Sequence, residues 1–273
     1  MFIKYDDIQL YVESIINNEY SDNAAFLLHG FTGCAMDWLQ IASSLDKKFN
    51  YYLIDLVGHG KSDSPIESNY YYIDSIVDQV KEIILSLSKN KAILAGYSMG
   101  GRIALNFALL HQELLKGIVL ESSSWGIDDE VQRNERAIQD KKLAEFIDNN
   151  SIDTFIDYWM NLDLFNTQRR LPNELIARIR ERKLENNKSG LAKTLRYSGT
   201  GIMQPLHNKI GNIQIRTLLI TGELDSKFTG INAEMVNGFA KSDHTIIKNA
   251  GHNTHLEEPK LFIDAINKFL LVI

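Results

Sequence analysis

The chain has 273 residues, 44% hydrophobic and 23% charged, enough to bury one large core with or without an insertion. Its net charge of −6 provides no overall positive field for nucleic acid or an anionic membrane surface, so an anionic ligand would need a local cluster of cations. The single cysteine, Cys34, excludes an intramolecular disulfide and is expected as a small loop or core residue.

The start, Met1-Phe2-Ile3-Lys4-Tyr5, has no secretory apolar stretch, and no run approaches the ~20 apolar residues of a membrane span. A cytoplasmic protein without membrane insertion, monomeric or weakly self-associating, is expected. Short β-branched runs predict strands over residues 8–13, 24–28, 51–56, 91–95, 117–121, 216–221 and 244–248. Helical patterns lie between several of them, over 36–45, 70–87, 102–110, 231–239 and 259–270. This alternation predicts an α/β fold, a mostly parallel central sheet with helices on both faces. Sites in such sheets form where loops leave the carboxyl ends of strands.

Residues 126–201 break the alternation. They show helical patterns over 128–147, 152–160, 172–184 and 191–197 and no convincing strand. The expected organisation is a core of residues 1–125 and 202–273, with 126–201 inserted as a helical lid over the strand ends. Eight of the ten arginines fall in that insertion. A guanidinium grips a carboxylate at two points where lysine cannot, although most of the eight are expected on a solvated, ion-paired surface.

Gly96-Tyr97-Ser98-Met99-Gly100 follows the apolar run 92–95 and precedes a helical pattern. Strand, Gly-x-Ser-x-Gly and helix in that order predict a nucleophile elbow that lifts Ser98 clear of the sheet. A serine needs a partner to act at neutral pH. Asp225 follows the strand 216–221 and His252 follows 244–248, which gives the order Ser, Asp, His. The imidazole would take the hydroxyl proton, and the carboxylate would fix the tautomer. His255 competes with His252, and Glu121 and Glu223 with Asp225; each loser is expected to make a cap or loop hydrogen bond.

Two backbone N–H groups could hold a developing oxyanion, that of Met99 and one from the loop His29-Gly30-Phe31-Thr32-Gly33, Phe31 by preference. Arg102, four residues past Ser98, lies one helical turn away, near the site or in a salt bridge at its rim. No cluster has metal-ligand spacing and no phosphate-binding glycine motif occurs. Neither a metal nor a nucleotide cofactor is expected.

Together His29-Gly30-Phe31, Asp55-Leu56-Val57-Gly58-His59-Gly60-Lys61-Ser62, the elbow, the acid loop and Gly251-His252 resemble the α/β-hydrolase superfamily over the whole strand pattern. Fold alone leaves the reaction open. More narrowly, Tyr97-Ser98-Met99-Gly100-Gly101-Arg102, Glu121-Ser122-Ser123-Ser124 and Glu223-Leu224-Asp225-Ser226-Lys227-Phe228 resemble the 2-succinyl-6-hydroxy-2,4-cyclohexadiene-1-carboxylate synthases of menaquinone biosynthesis. That resemblance implies a cofactor-free carbon–oxygen lyase that eliminates pyruvate from a small tricarboxylate. Ser98 would act as base, with the enolate held by Phe31 and Met99. It also implies carboxylate-binding arginines at Arg102, Arg136 and Arg180, with Arg133 and Arg178 as alternatives in the insertion, and pocket aromatics at Tyr97 and Trp159. Trp125 stands where those synthases often carry proline. The other readings are a serine hydrolase of small carboxylate esters or C–C bonds, and a non-catalytic ligand-binding module.

Overall fold

The computed structural model describes residues 1–19 and 21–273. Among them, strands β1 (Phe2–Tyr5), β2 (Ile8–Ile15), β3 (Ala24–Leu28), β4 (Asn50–Ile54), β5 (Ala92–Tyr97), β6 (Leu115–Glu121), β7 (Arg216–Gly222) and β8 (Ser242–Ile247) form one sheet, in the order β1-β2-β4-β3-β5-β6-β7-β8. The β1–β2 and β2–β4 pairs are antiparallel and all others parallel. The helices are α1 (Leu39–Ala42), α2 (Ile73–Leu87), α3 (Met99–His111), α4 (Glu130–Asn149), α5 (Ile152–Met160), α6 (Asn173–Leu184), α7 (Lys188–Ser198), α8 (Ser226–Met235), α9 (Thr254–Glu257) and α10 (Pro259–Leu270). None of them is long and apolar enough to cross a membrane.

The central strands are buried on both faces, and their side chains alternate between two cores. In β3, Phe26 and Leu28 enter the core formed with Ile76, Val80 and Ile83 of α2 and Ile103 and Phe107 of α3. Ala25 and Leu27 enter the opposite core, formed with Ile41 of α1 and with Phe262, Ile266 and Phe269 of α10. A third, smaller core joins Ile147 of α4, Phe155 and Ile156 of α5, and Leu191 and Leu195 of α7. It draws in Phe31 from the loop after β3, so the helices between β6 and β7 pack onto the strand ends.

Several element boundaries depart from the sequence pattern. Strand β1 was not expected: its residues pair with β2 but are half-buried or exposed, so they carry no run of core residues. The pattern over 36–45 yields only a 3-10 turn, Ala35–Asp37, and the short α1. Helix α8 spans Ser226–Met235 instead of 231–239, because the Asp225 side chain accepts from Phe228 N and caps it early. Asp129 and Asn187 likewise cap α4 and α7 by accepting from Gln132 N and Gly190 N.

Two sets of contacts seat the inserted helices. Asn186 donates to Thr32 O at 3.0 Å and accepts from Gly60 N at 3.0 Å. Beside it Gly190 packs backbone to backbone on Gly58, whose φ is +79°. A side chain at 190 would overlap the Gly58 carbonyl. Gly190→Ala should therefore cost about 1–3 kcal/mol by overpacking, a fall of roughly 2–10 °C in melting temperature by calorimetry.

Candidate active site

The register decides where the loops leave the sheet. Leu28 pairs with Gly96, Tyr97 with Glu121, Glu121 with Ile220, and Gly222 with Ile247. The carboxyl ends of β3, β5, β6, β7 and β8 thus stand side by side. Chain order reverses at β3, which leads outward to β4 while β5 returns to its other flank. The crevice between β3 and β5 is such a switch point, where open α/β sheets bind ligands.

Ser98 sits there between β5 and α3, with φ 51° and ψ −103°. This is costly backbone for a residue with a β-carbon. The surroundings hold it in place. Ser98 N donates to Glu121 O at 2.8 Å, and Arg102 N to Ser98 O at 3.1 Å. Gly96 and Gly100 carry no side chain because one at 96 would strike the Gly100 backbone, and one at 100 the Leu28 carbonyl. The two glycines of the motif thus allow α3 to start against the ends of β3 and β5.

His252 Nε2 lies 3.1 Å from Ser98 Oγ, and His252 Nδ1 lies 2.7 Å from Asp225 Oδ2. An ionised carboxylate only accepts, so Nδ1 carries the proton and Nε2 is free to accept from the serine hydroxyl. His252 and Asp225 are buried, whereas Ser98 is partly exposed to a cavity of about 290 Å³. The losing candidates take structural places. Glu121 accepts from Thr254 Oγ1, His255 N and His255 Nδ1 at 2.6, 3.0 and 2.6 Å. His255 also stacks on Trp38 at 4.1 Å. Glu223 accepts from Asn249 N at 3.0 Å. Cys34 is buried, which pushes its thiol up to about 12.

Phe31 and Met99 line the Ser98 cavity, and among the described residues neither backbone N–H has a protein acceptor. For Met99 this follows from its place in the first turn of α3, where N–H groups have no partner within the helix.

The same cavity holds an excess of positive charge. Arg102 donates to Ser198 O at 3.1 Å and has no carboxylate partner among the described residues. Burial, and then the nearby Arg136, lower it to about 10, so it stays charged at neutral pH. Arg136 Nε is paired with Asp140 at 2.8 Å. The single carboxylate there is thus taken by Arg136, and Arg102 is not in the rim salt bridge that was the alternative for it. Arg133 donates to Ile127 O and Asp128 O instead, at 2.9 and 3.0 Å. Tyr97 and Trp159 line the cavity as well. Burial, then Glu121 and Glu257, push the Tyr97 phenol well above its ordinary value.

Arg180, expected at the site, lines neither cavity and pairs with Asp157 and Asp153 of α5 at 2.8 and 3.2 Å. The reason is helical phase. Ile179 is the buried residue of α6, and positions three and four further on share its face. Those are Arg182 and Lys183, which line a second cavity of about 390 Å³ sharing Phe31, Tyr97, Trp159 and Phe165 with the first. Arg178 reaches that second cavity too. Lys183 donates to Thr32 Oγ1 at 2.8 Å, and burial lowers its ammonium below the ordinary value.

Trp125, the departure noted above, is buried and stacks on His207 at 4.5 Å.

Comparison with known proteins agrees with this geometry. A family model described as the alpha/beta hydrolase fold matches residues 26–259. A Bacillus subtilis (strain 168) protein, named provisionally as a 2-succinyl-6-hydroxy-2,4-cyclohexadiene-1-carboxylate synthase, is 38% identical over 92% of this chain and 91% of its own length. The synthase of that name from Salmonella typhimurium (strain LT2) is 28% identical over 89% of this chain and 92% of its own. Among solved structures, MenH from S. aureus superposes with a TM-score of 0.91 at 31% identity, covering 95% of this chain and 97% of that one.

Replacing Asp225 with Asn would leave the triad's shape but put the wrong tautomer at His252. Covalent labelling of Ser98 by a phosphonate should slow by roughly 10³–10⁴-fold, read from the time course of the labelled mass.

Proposed function

The chain belongs to the alpha/beta hydrolase family and, within it, to the 2-succinyl-6-hydroxy-2,4-cyclohexadiene-1-carboxylate synthases, and on that premise we propose that it catalyses a 2,5-elimination. The substrate is 2-succinyl-5-enolpyruvyl-6-hydroxy-3-cyclohexene-1-carboxylate, an intermediate of menaquinone biosynthesis, and the products are pyruvate and the cyclohexadiene. The observation that carries this reading is Arg102, a cation with no carboxylate of its own, one helical turn from Ser98 and beside Arg136. An unmet positive charge at that place suits a polyanionic substrate better than a neutral ester.

In the proposed mechanism His252 takes the Ser98 proton and Asp225 stabilises the imidazolium. The Ser98 oxyanion removes the ring proton α to the succinyl ketone. The electron pair moves onto the ketone oxygen, which the N–H groups of Phe31 and Met99 receive. When that enolate collapses, the ring double bonds shift and the C5–O bond breaks, so pyruvate leaves as its enolate. Its protonation returns the catalytic proton. Neither an acyl-enzyme nor a cofactor enters this sequence.

Arg102 and Arg136 would hold two carboxylates near Ser98, and Lys183 in the adjoining cavity is placed for the third. Trp159 and Tyr97, shared by both cavities, would orient the ring between them.

Pure protein mixed with the enolpyruvyl substrate should release one pyruvate per turnover, and Ser98→Ala should reduce the rate by roughly 10³-fold or more. No release above the uncatalysed rate would reject the elimination. Burst release from a chromogenic carboxylate ester, in its place, would indicate a hydrolase. Arg102→Ala should lower kcat/KM by the equivalent of about 2–5 kcal/mol, against about 0–1 kcal/mol for exposed Arg169→Ala. Steady-state kinetics of the two variants makes that comparison.

A further inference from the structure

Four charged side chains line the cavity at Ser98: Arg102, Arg136, Asp140 and Lys227. Arg136 is paired with Asp140 at 2.8 Å, and Arg102 donates to Ser198 O. Lys227 has no carboxylate partner among the described residues. Its Nζ lies 5.7 Å from the centre of the Phe228 ring, and that ring lies 4.5 Å from the His252 imidazole. The lysine is exposed while lining the cavity, so it stands at the cavity mouth, beside the triad.

Its place in the chain gives no structural reason for a cation. Lys227 is the second residue of α8, whose first turn carries no acidic residue. A positive charge there opposes the helix dipole, which favours acidic side chains at that end. The nearby carboxylate, Asp225, is already bonded to Phe228 N and His252 Nδ1. The lysine therefore costs its helix stability and meets no anion of the chain. Its flexible stem and three rotatable donors suit a charge that appears on a departing atom.

We propose that Lys227 receives the leaving pyruvate enolate, an assignment that rests on the elimination proposed above and extends it. The substrate brings three carboxylates, for which Arg102, Arg136 and Lys183 are placed. A fourth negative charge arises only during the reaction. When Ser98 takes the ring proton, the released pair sits first on the ketone oxygen. As that enolate collapses, the C5–O bond breaks and its electron pair goes to the departing oxygen, so pyruvate leaves as a dianion. Lys227 meets this oxygen at the cavity mouth, on the way to solvent. The proton held by His252 then passes to the methylene carbon and completes pyruvate. The fourth charge is absent from the bound substrate, so the contact speeds the step without tightening binding.

Lys227→Met removes the charge and keeps the length of the side chain. In steady-state pyruvate release its kcat should fall by about tenfold or more, with KM changed by less than about twofold. Lys227→Arg should recover part of the loss. Oxalate, a planar dianion that mimics the pyruvate enolate, should inhibit the parent about tenfold more strongly than Lys227→Met. Labelling of Ser98 by a fluorophosphonate should keep the parent rate, because the triad is untouched. The melting temperature of Lys227→Met should hold or rise by about 1–3 °C, since the dipole no longer faces a cation. Parent kcat in Lys227→Met, a rise in KM alone, equal inhibition by oxalate, or slowed labelling would each overturn the proposal and leave the elimination standing. A parent that labels but releases no pyruvate would reject the elimination, and the role of Lys227 with it.

Discussion

The close approach of α3 to the ends of β3 and β5 is the constraint on which the site depends. Helix α3 can begin there only because positions 96 and 100 have no side chain. That approach forces Ser98 into backbone with φ 51°, and the cost is met by the hydrogen bond to Glu121 and by packing on both sides of the sheet. It also brings Met99, whose N–H has no acceptor among the described residues, to the cavity that Phe31 lines. The position of Ser98 and that of Met99 are therefore consequences of one packing contact.

Charge is distributed around that contact in two shells. Next to Ser98 the carboxylate of Asp225 bonds His252, and Arg102 has no carboxylate partner among the described residues. Behind the triad, Glu121 and Glu257 are buried as well, yet Glu121 satisfies backbone and side-chain donors of the 251–257 loop and Glu257 two of its backbone donors. Buried carboxylates are expensive unless bonded in this way. They hold the histidine loop from below, while the segment Asp163–Arg170 holds it from above. The His252 imidazole thus rests between the core and the helices that join β6 to β7.

Much of this was legible in the residues. The alternation of apolar strands and helices is a local property with a short period, and it located the strands from β2 to β8. Ser98, Asp225 and His252 were readable because each follows a strand, and in a parallel sheet all carboxyl ends point one way. Strand β1 escaped because an edge strand need not be apolar. Helix α8 began earlier than its apolar pattern because capping by Asp225 sets its start. Lys183, and not Arg180, lines a cavity because the face a helix turns inward is set by its buried residue, here Ile179.

The sequence by itself determined the fold class, the elbow and the chain order of the triad, since these rest on residue type and spacing along the chain. Tertiary structure alone decided which cations face the cavity, that Glu121 and His255 pair behind the triad, and that Arg170 pairs with Glu257. Charges and hydrogen bonds between residues as distant as 121 and 255, or 170 and 257, leave no periodic trace in the chain. They exist only because the packed sheet and its inserted helices bring those groups within bonding distance.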